Sequence, residues 1–315
     1  MAEDAPFRSG FVTLLGRPNT GKSTLVNALV GRKVAIVTPH PQTTRTHLLG
    51  VVNRPPQGEA AGGQIVLVDT PGVHRGRGPL HRALLRSVRV GLEGRDLALL
   101  LADATRPFGS EDQFALDLLQ SAPGAAMPPA LLLLNKIDLL ARRDQALPLL
   151  EAWRGRFPFA ELVPISALRH QNLERLLELV LERLPPGPEY FPAGQASDQP
   201  EQFQIGELIR EQAMLQTREE VPHTLAVQLE SDSGAPGGGG RPRVILAVLV
   251  CERPGQKAIL IGKGGERIRE IGTASRKQLE TALGSKVYLE MRVRVRADWR
   301  EDPRFVASLD YRKGG

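Results

Sequence analysis

Residues 16–23 read GRPNTGKS, directly after the apolar run FVTLL (11–15) and at the head of the helical pattern STLVNALVG (23–31). Four residues separate Gly16 from Gly21, and Lys22 and Ser23 follow, which is the phosphate-binding-loop pattern. No other feature constrains the fold as strongly, because such a loop works only between a strand end and a helix N-terminus. Its glycines let backbone N–H groups turn toward phosphate oxygens, and the helix start adds a positive dipole. Lys22 is expected to reach the β- and γ-phosphates and the Ser23 hydroxyl to ligate Mg²⁺.

The surrounding pattern agrees. IVLVD (65–69), LALLLAD (97–103), ALLLLN (130–135) and LVPIS (162–166) read as buried parallel strands. Between them, LHRALLRSVRVGL (80–92), SEDQFALDLLQ (110–120) and NLERLLELVLERL (172–184) have helical periodicity. The alternation predicts an α/β domain over 1–184, a mostly parallel sheet with helices on both faces. HLLGVVN (47–53) is expected as an edge strand antiparallel to QIVLVD. PPGPEYFPAG (185–194) and the polar stretch to Pro200 predict a linker over 185–200, with a smaller α+β domain over 201–315.

The loop does not choose the base. Asn135, Lys136 and Asp138, the NKID at a predicted strand end, point to guanine: a carboxylate there accepts from both N1–H and the 2-amino group. Ser166, Ala167 and Leu168 end the next strand. In DTPG (69–72), Asp69 can hold an Mg²⁺-bound water, and Gly72, without a Cβ, can bring its N–H close to the γ-phosphate. In PHPQTTRT (39–46), Thr44, with Thr43 as the alternative, would supply a second Mg²⁺ oxygen when GTP is bound; otherwise these threonines form a solvated turn.

GRPNTGKST, QTTR, DTPG, NKID and SAL, in this order, resemble the TrmE-Era-EngA-like branch of translation GTPases. The resemblance implies GTP/GDP and Mg²⁺ as ligands, with Lys22, Thr44 and Gly72 at the reacting phosphate. It also implies that Gly16, Asn19, Thr20 and Gly21 line the phosphates, that Thr24 contacts the α-phosphate, and that the backbone of Ser166 and Ala167 meets the guanine carbonyl. Some members with an asparagine at the place of Asn19 bind K⁺ beside the phosphates. Val73 follows DTPG where small signalling GTPases carry the glutamine that orients water, so help from a partner, the backbone or a cation is expected.

In the second half, Gly262, Lys263, Gly264 and Gly265 lie between an apolar segment and the basic helical pattern ERIREIGTASRKQLETALG (266–284). That is the KH arrangement, in which a GXXG turn clamps a backbone of four nucleotides. The order helix-strand-strand-helix-helix-strand is the bacterial, type II, KH order. Ile259, Ile261, Ile268 and Ile271 are expected to wall a groove for bases, and Lys257, Arg267, Arg269, Arg276 and Lys277 to address phosphates or stand solvated. ELIREQ, CERPGQKAILIGKGGERIREIG and KVYLEMRVRVRADWR resemble the KH half of the Era family of ribosome-assembly GTPases. That implies binding of an unpaired segment near the 3′ end of 16S ribosomal RNA and a role in small-subunit assembly. The loop SDSGAPGGGG (231–240) and Asp310 depart from that pattern.

Charge placement fits a polyanionic partner. The formal net charge is +6, and residues 241–296 hold 13 Lys/Arg against 5 Asp/Glu. One cysteine, Cys251, excludes an internal disulfide and suits a reducing compartment. With no basic, apolar leader at the N-terminus and no run of 18 apolar residues, a cytoplasmic monomer is expected, with peripheral contact to anionic membrane possible for its basic face. Two other readings stay open here: a membrane- or cell-cycle-associated signalling GTPase, and an RNA chaperone whose nucleotide domain is structural.

Overall fold

The computed structural model describes residues 6–40, 43–56, 62–76, 78–121, 129–218, 221–234 and 242–309. The chain divides into two compact units. One comprises Met1–Ala35, Thr44–Gly76 and Arg82–Asp198; the other comprises Ile36–Thr43, Arg77–His81 and Gln199–Gly315.

In the first unit, β1 (Arg8–Leu15), β2 (Leu48–Arg54), β3 (Gly63–Asp69), β4 (Leu97–Asp103), β5 (Ala130–Asn135) and β6 (Glu161–Pro164) form one sheet, ordered β2-β3-β1-β4-β5-β6. All neighbours are parallel except β2, which runs antiparallel to β3 as expected. Strand alternation builds two cores: Leu97, Leu99 and Leu101 face one layer, and Ala98, Leu100 and Ala102 the other. Helices α1 (Lys22–Val30) and α5 (Leu173–Arg183) cover the first face; α2 (Pro79–Leu92), α3 (Ser110–Gln120) and α4 (Ala146–Arg154) cover the second. The sequence reading missed α4. Pro148 interrupts its pattern but sits in the first turn, where the missing N–H has no intrahelical partner to lose. Buried Trp153 anchors it, edge-on to Phe108 at 4.9 Å.

Residues expected as a linker belong to this unit up to Asp198. The Gln64 amide donates to Phe191 O at 2.8 Å and accepts from Tyr190 N at 2.7 Å. Val51 N donates to Ala196 O at 2.9 Å, and Leu49 N to Asp198 Oδ1 at 3.0 Å. The Pro/Gly-rich stretch cannot be helix, yet the Ala196 carbonyl and the Asp198 carboxylate occupy the open edge of β2, which would otherwise expose unpaired amides.

The second unit holds α6 (Glu201–Leu215), α7 (Val221–Thr224), β7 (Ala226–Asp232), β8 (Arg243–Cys251), α8 (Pro254–Ile261), α9 (Glu266–Leu283), β9 (Val287–Val295) and α10 (Pro303–Ser308). Its sheet runs β7-β8-β9, antiparallel then parallel. Ile205, Ile209, Ile245, Leu249, Leu260 and Leu279 form the core between sheet and helices. On the sheet's other face Trp299 packs with Val248, Val250 and Phe305, its indole N–H bonded to Thr224 O at 2.8 Å. Helix α6 ends at Leu215. Its Arg210 and Glu211 are each 2% exposed. Arg210 donates to the Thr43 carbonyl; Glu211 accepts from Val37 N at 2.9 Å and from the Gln278 amide of α9 at 3.0 Å. Ser231 and Asp232, expected in a loop, extend β7, where Asp232 grips Arg243 at 2.5 Å. Residues 235–240 of that loop and Asp310 lie outside the described residues. Among the described residues no helix is long and apolar enough to cross a membrane.

Candidate functional site

The carboxyl ends of β1, β3 and β5 deliver the nucleotide motifs to one crevice, as open α/β sheets do. Residues 16–21 link β1 to α1, whose first residue is Lys22. The Lys22 ammonium is buried and donates to Gly16 O at 2.9 Å and Arg17 O at 3.0 Å. Burial lowers its pKa to about 8, against the opposing pull of Asp69. Thr20 Oγ1 donates to Arg17 O at 3.1 Å, and exposed Asn19 takes a left-handed conformation, φ 63°.

Three oxygen-bearing side chains meet beside it. Ser23 Oγ donates to Asp69 Oδ2 at 2.7 Å and lies 2.9 Å from Thr44 Oγ1; Thr44 donates to the same carboxylate oxygen at 3.4 Å. Thr44, rather than Thr43, is therefore the threonine at this corner; Thr43 bonds Thr38 and the His40 carbonyl instead. Burial pushes Asp69 up to about 6, with Ser23, Lys22 and Thr44 pulling down. Asp69 Oδ1 is buried with no hydrogen-bond partner. A hard divalent cation suits this set of oxygens and would give the buried Asp69 oxygen the positive partner it lacks.

Gly72 lies hard against the phosphate loop: a Cβ there would stand 2.7 Å from Pro18 Cα, so only glycine fits. Val73 N donates to Gly16 O at 3.1 Å. The Val73 side chain is 1% exposed, packed into the core beneath. Val73 itself is turned into the core and has no group that could orient a water.

On the base side, Asn135 is fully enclosed. Its Nδ2 donates to Thr20 O at 2.7 Å, and its Oδ1 accepts from Ala167 N at 3.0 Å. Ser166 Oγ donates to Asp138 Oδ1 at 2.5 Å and accepts from Arg169 N at 3.1 Å. Lys136, left-handed at φ 67°, pairs with Asp103 at 2.7 Å. Leu168 is 69% exposed at the rim, and Thr24 is half-buried on the first turn of α1.

In the second unit, Gly262–Gly265 link α8 to α9. Gly264 (φ 58°) and Gly265 (φ 77°) occupy the left-handed region that side chains disfavour. Lys263 and Ile259 are exposed; Lys257, Ile261 and Ile268 are half-buried around the turn. One expectation needs correction. Ile271 is fully buried in the core, because α9 turns that face toward the sheet, and it offers no surface to a base. Arg269 is exposed and donates to Gly265 O at 3.0 Å and Gly264 O at 2.5 Å. Arg267 donates to Gln216 O and Arg276 pairs with Glu280 at 3.4 Å, whereas Lys277 is exposed on the same helix.

The "50S ribosome-binding GTPase" family matches residues 11–136, and the "KH domain" family matches 220–300. GTPase Era of Geobacter metallireducens is 42% identical, over 98% of this chain and 99% of its own length. The chain belongs to the Era family of GTPases. GTPase Era of Heliobacterium modesticaldum is 40% identical, over 96% of this chain and 97% of its own. A crystal structure of Era in complex with MgGDPNP and nucleotides 1506–1542 of 16S ribosomal RNA matches with TM-score 0.89 and 36% identity, covering 97% of this chain and 99% of that one. A single-substitution variant of Aquifex aeolicus Era bound to GDP·AlF₄⁻ matches equally well, TM-score 0.89 at 37% identity, over 96% and 99% of the two chains. In this Era-family chain two residues escaped the sequence reading: Asp103, which holds Lys136, and Asp112, which faces Arg17. Asp103 ends a strand run and Asp112 opens a helix, so each read as ordinary punctuation until burial set it apart.

Proposed function

We propose that this GTPase couples GTP hydrolysis to holding an unpaired segment near the 3′ end of 16S ribosomal RNA during small-subunit assembly. The observation that carries the reading is one chain with both a complete nucleotide crevice and a left-handed GKGG turn at the head of a basic helix. Residues 1–198, apart from the two excursions into the second unit, make the nucleotide domain; residues 199–315 make the KH domain.

Lys22 and the amides of Asn19, Thr20, Gly21 and Gly72 address the phosphates, Thr24 the α-phosphate, and Asp138, Ser166, Ala167, Leu168 and Lys136 enclose guanine, with Asn135 bracing them. Ser23, Thr44 and Asp69 would hold Mg²⁺, which supplies charge neutralisation at the terminal phosphates. With Val73 turned inward, Asn19 would help hold K⁺, which would supply charge to offset what develops during hydrolysis. On the RNA side, Lys263 and the turn's amides meet phosphate, Lys257, Arg267, Arg276 and Lys277 add charge, and Ile259, Ile261 and Ile268 line the groove. The protein acts as a cytoplasmic monomer, with any contact to anionic lipid made through the same basic face.

The test is RNA affinity across a salt series, beside GTP affinity, for wild type and Lys263→Asp/Gly264→Asp. The probe is a single-stranded oligonucleotide of the 16S 3′ region. Two carboxylates where a phosphate lies should weaken RNA at least about tenfold and flatten the salt slope by roughly 0.7 for each phosphate no longer neutralised, while GTP affinity holds. Unaltered RNA binding and slope would leave GKGG only a turn. Turnover compared in KCl and NaCl at matched ionic strength checks the cation: faster in K⁺ is expected, and equal rates remove it.

A further inference from the structure

We propose that Asp112, in the first turn of α3, positions the phosphate-binding loop by holding the side chain of Arg17. Among the loop's tethers are three to segments far along the chain. Val73 N holds Gly16 O at 3.1 Å, and the Asn135 amide holds Thr20 O at 2.7 Å. Both of those tethers come from motifs that themselves adjoin the nucleotide. The third does not. Arg17 Nε lies 3.4 Å from Asp112 Oδ1, and the two side chains are only 10% and 3% exposed. Asp112 belongs to no nucleotide motif and sits far along the chain from the loop it grips.

This third tether matters because of what Arg17 carries on its main chain. Its carbonyl accepts from both the Lys22 ammonium, at 3.0 Å, and the Thr20 hydroxyl, at 3.1 Å. The peptide that seats the phosphate-binding lysine is thus fixed by its own side chain. Asp112 is fixed in turn, since its Oδ2 accepts from Gly109 N at 3.0 Å and closes the start of α3. Burial holds the Asp112 carboxyl above the usual carboxylate range, with Arg17 and the Gly109 N–H pulling the other way. A buried guanidinium deprived of its carboxylate does not stay in place. It leaves for water or for the phosphates, and the Arg17 carbonyl moves with it. Asp112 is accordingly a positioning residue acting through Arg17 and Lys22; it touches neither nucleotide nor metal.

The pair is testable as a cycle. Asp112→Asn keeps an oxygen for Gly109 N and removes the charge. Arg17→Gln leaves a carboxyl that can take up a proton, so it folds even where Asp112→Asn is fragile. GTP and GDP affinities are measured for each single variant and for the double variant, well below each thermal midpoint. Each single change should weaken GTP and GDP alike by roughly tenfold, because the loop holds the phosphates common to both. The double variant should be no worse than either single, and Asp112→Glu should recover most of the affinity. Three results would overturn the proposal: a lowered thermal midpoint with nucleotide affinity within twofold of wild type, multiplicative losses in the double variant, or a loss confined to GTP.

Discussion

Asn135 and Asp138 stand three residues apart in one motif and do different work. Asn135 bonds the phosphate loop through Thr20 O and the last base-side loop through Ala167 N, so it locks two nucleotide-facing segments together. Asp138 receives the Ser166 hydroxyl at 2.5 Å on one oxygen, which fixes the carboxylate's rotation and leaves the rest of it to the base. Exchanging Asp138→Asn replaces an acceptor with a donor opposite N1–H and the 2-amino group. GTP affinity should fall by about thirtyfold, the equivalent of about 2 kcal/mol for a hydrogen bond to a charged group, and xanthosine triphosphate should become the better ligand. Competition binding of the two nucleotides decides it; GTP affinity kept within twofold would take Asp138 out of the base site.

Among elements, the α8–turn–α9 unit shows an arginine used for shape. Arg269 braces the turn by satisfying the carbonyls of Gly264 and Gly265, while Gly262 N and Gly265 N are bonded to Ala258 O and Gly262 O, so the amides of Lys263 and Gly264 are the ones the turn has to offer. Arg269→Gln should therefore weaken RNA binding by roughly tenfold while leaving the salt slope unchanged, since the guanidinium neutralises no phosphate. A slope flattened by about 0.7 would place the guanidinium on a phosphate instead. Periodicity and turn chemistry made most elements readable beforehand: β4 and β5 came out to the residue, because unbroken apolar runs bounded by polar ends admit one reading. What stayed hidden shares a physical cause. Pro148 masked α4 because position within a helix decides whether proline is tolerated. Ile271 looked like groove and proved to be core because one register shift of a helix exchanges the two. Asp112 and Glu211 were unreadable because only tertiary burial separates a structural carboxylate from a solvated one.

At the scale of the molecule, the chain passes between its two units more than once. Ile36–Thr43 packs with the C-terminal unit, where Glu211 accepts from the Val37 amide and Arg210 donates to the Thr43 carbonyl. A chain ended at Asp198 lacks both partners. Its Val37 amide should exchange with solvent deuterium orders of magnitude faster than in the full chain, while the amides of β4 keep their protection. Equal protection of Val37 in the two chains would mean that Glu211 is not what shields it. Heredity meets the same threading. A recombination event that joined the front of one such gene to the back of a distant relative's would pair residues 36–43 from one ancestor with an α6 from the other. Only crossovers that happen to match at those few positions would yield a working product, so the two parts should descend as a single lineage.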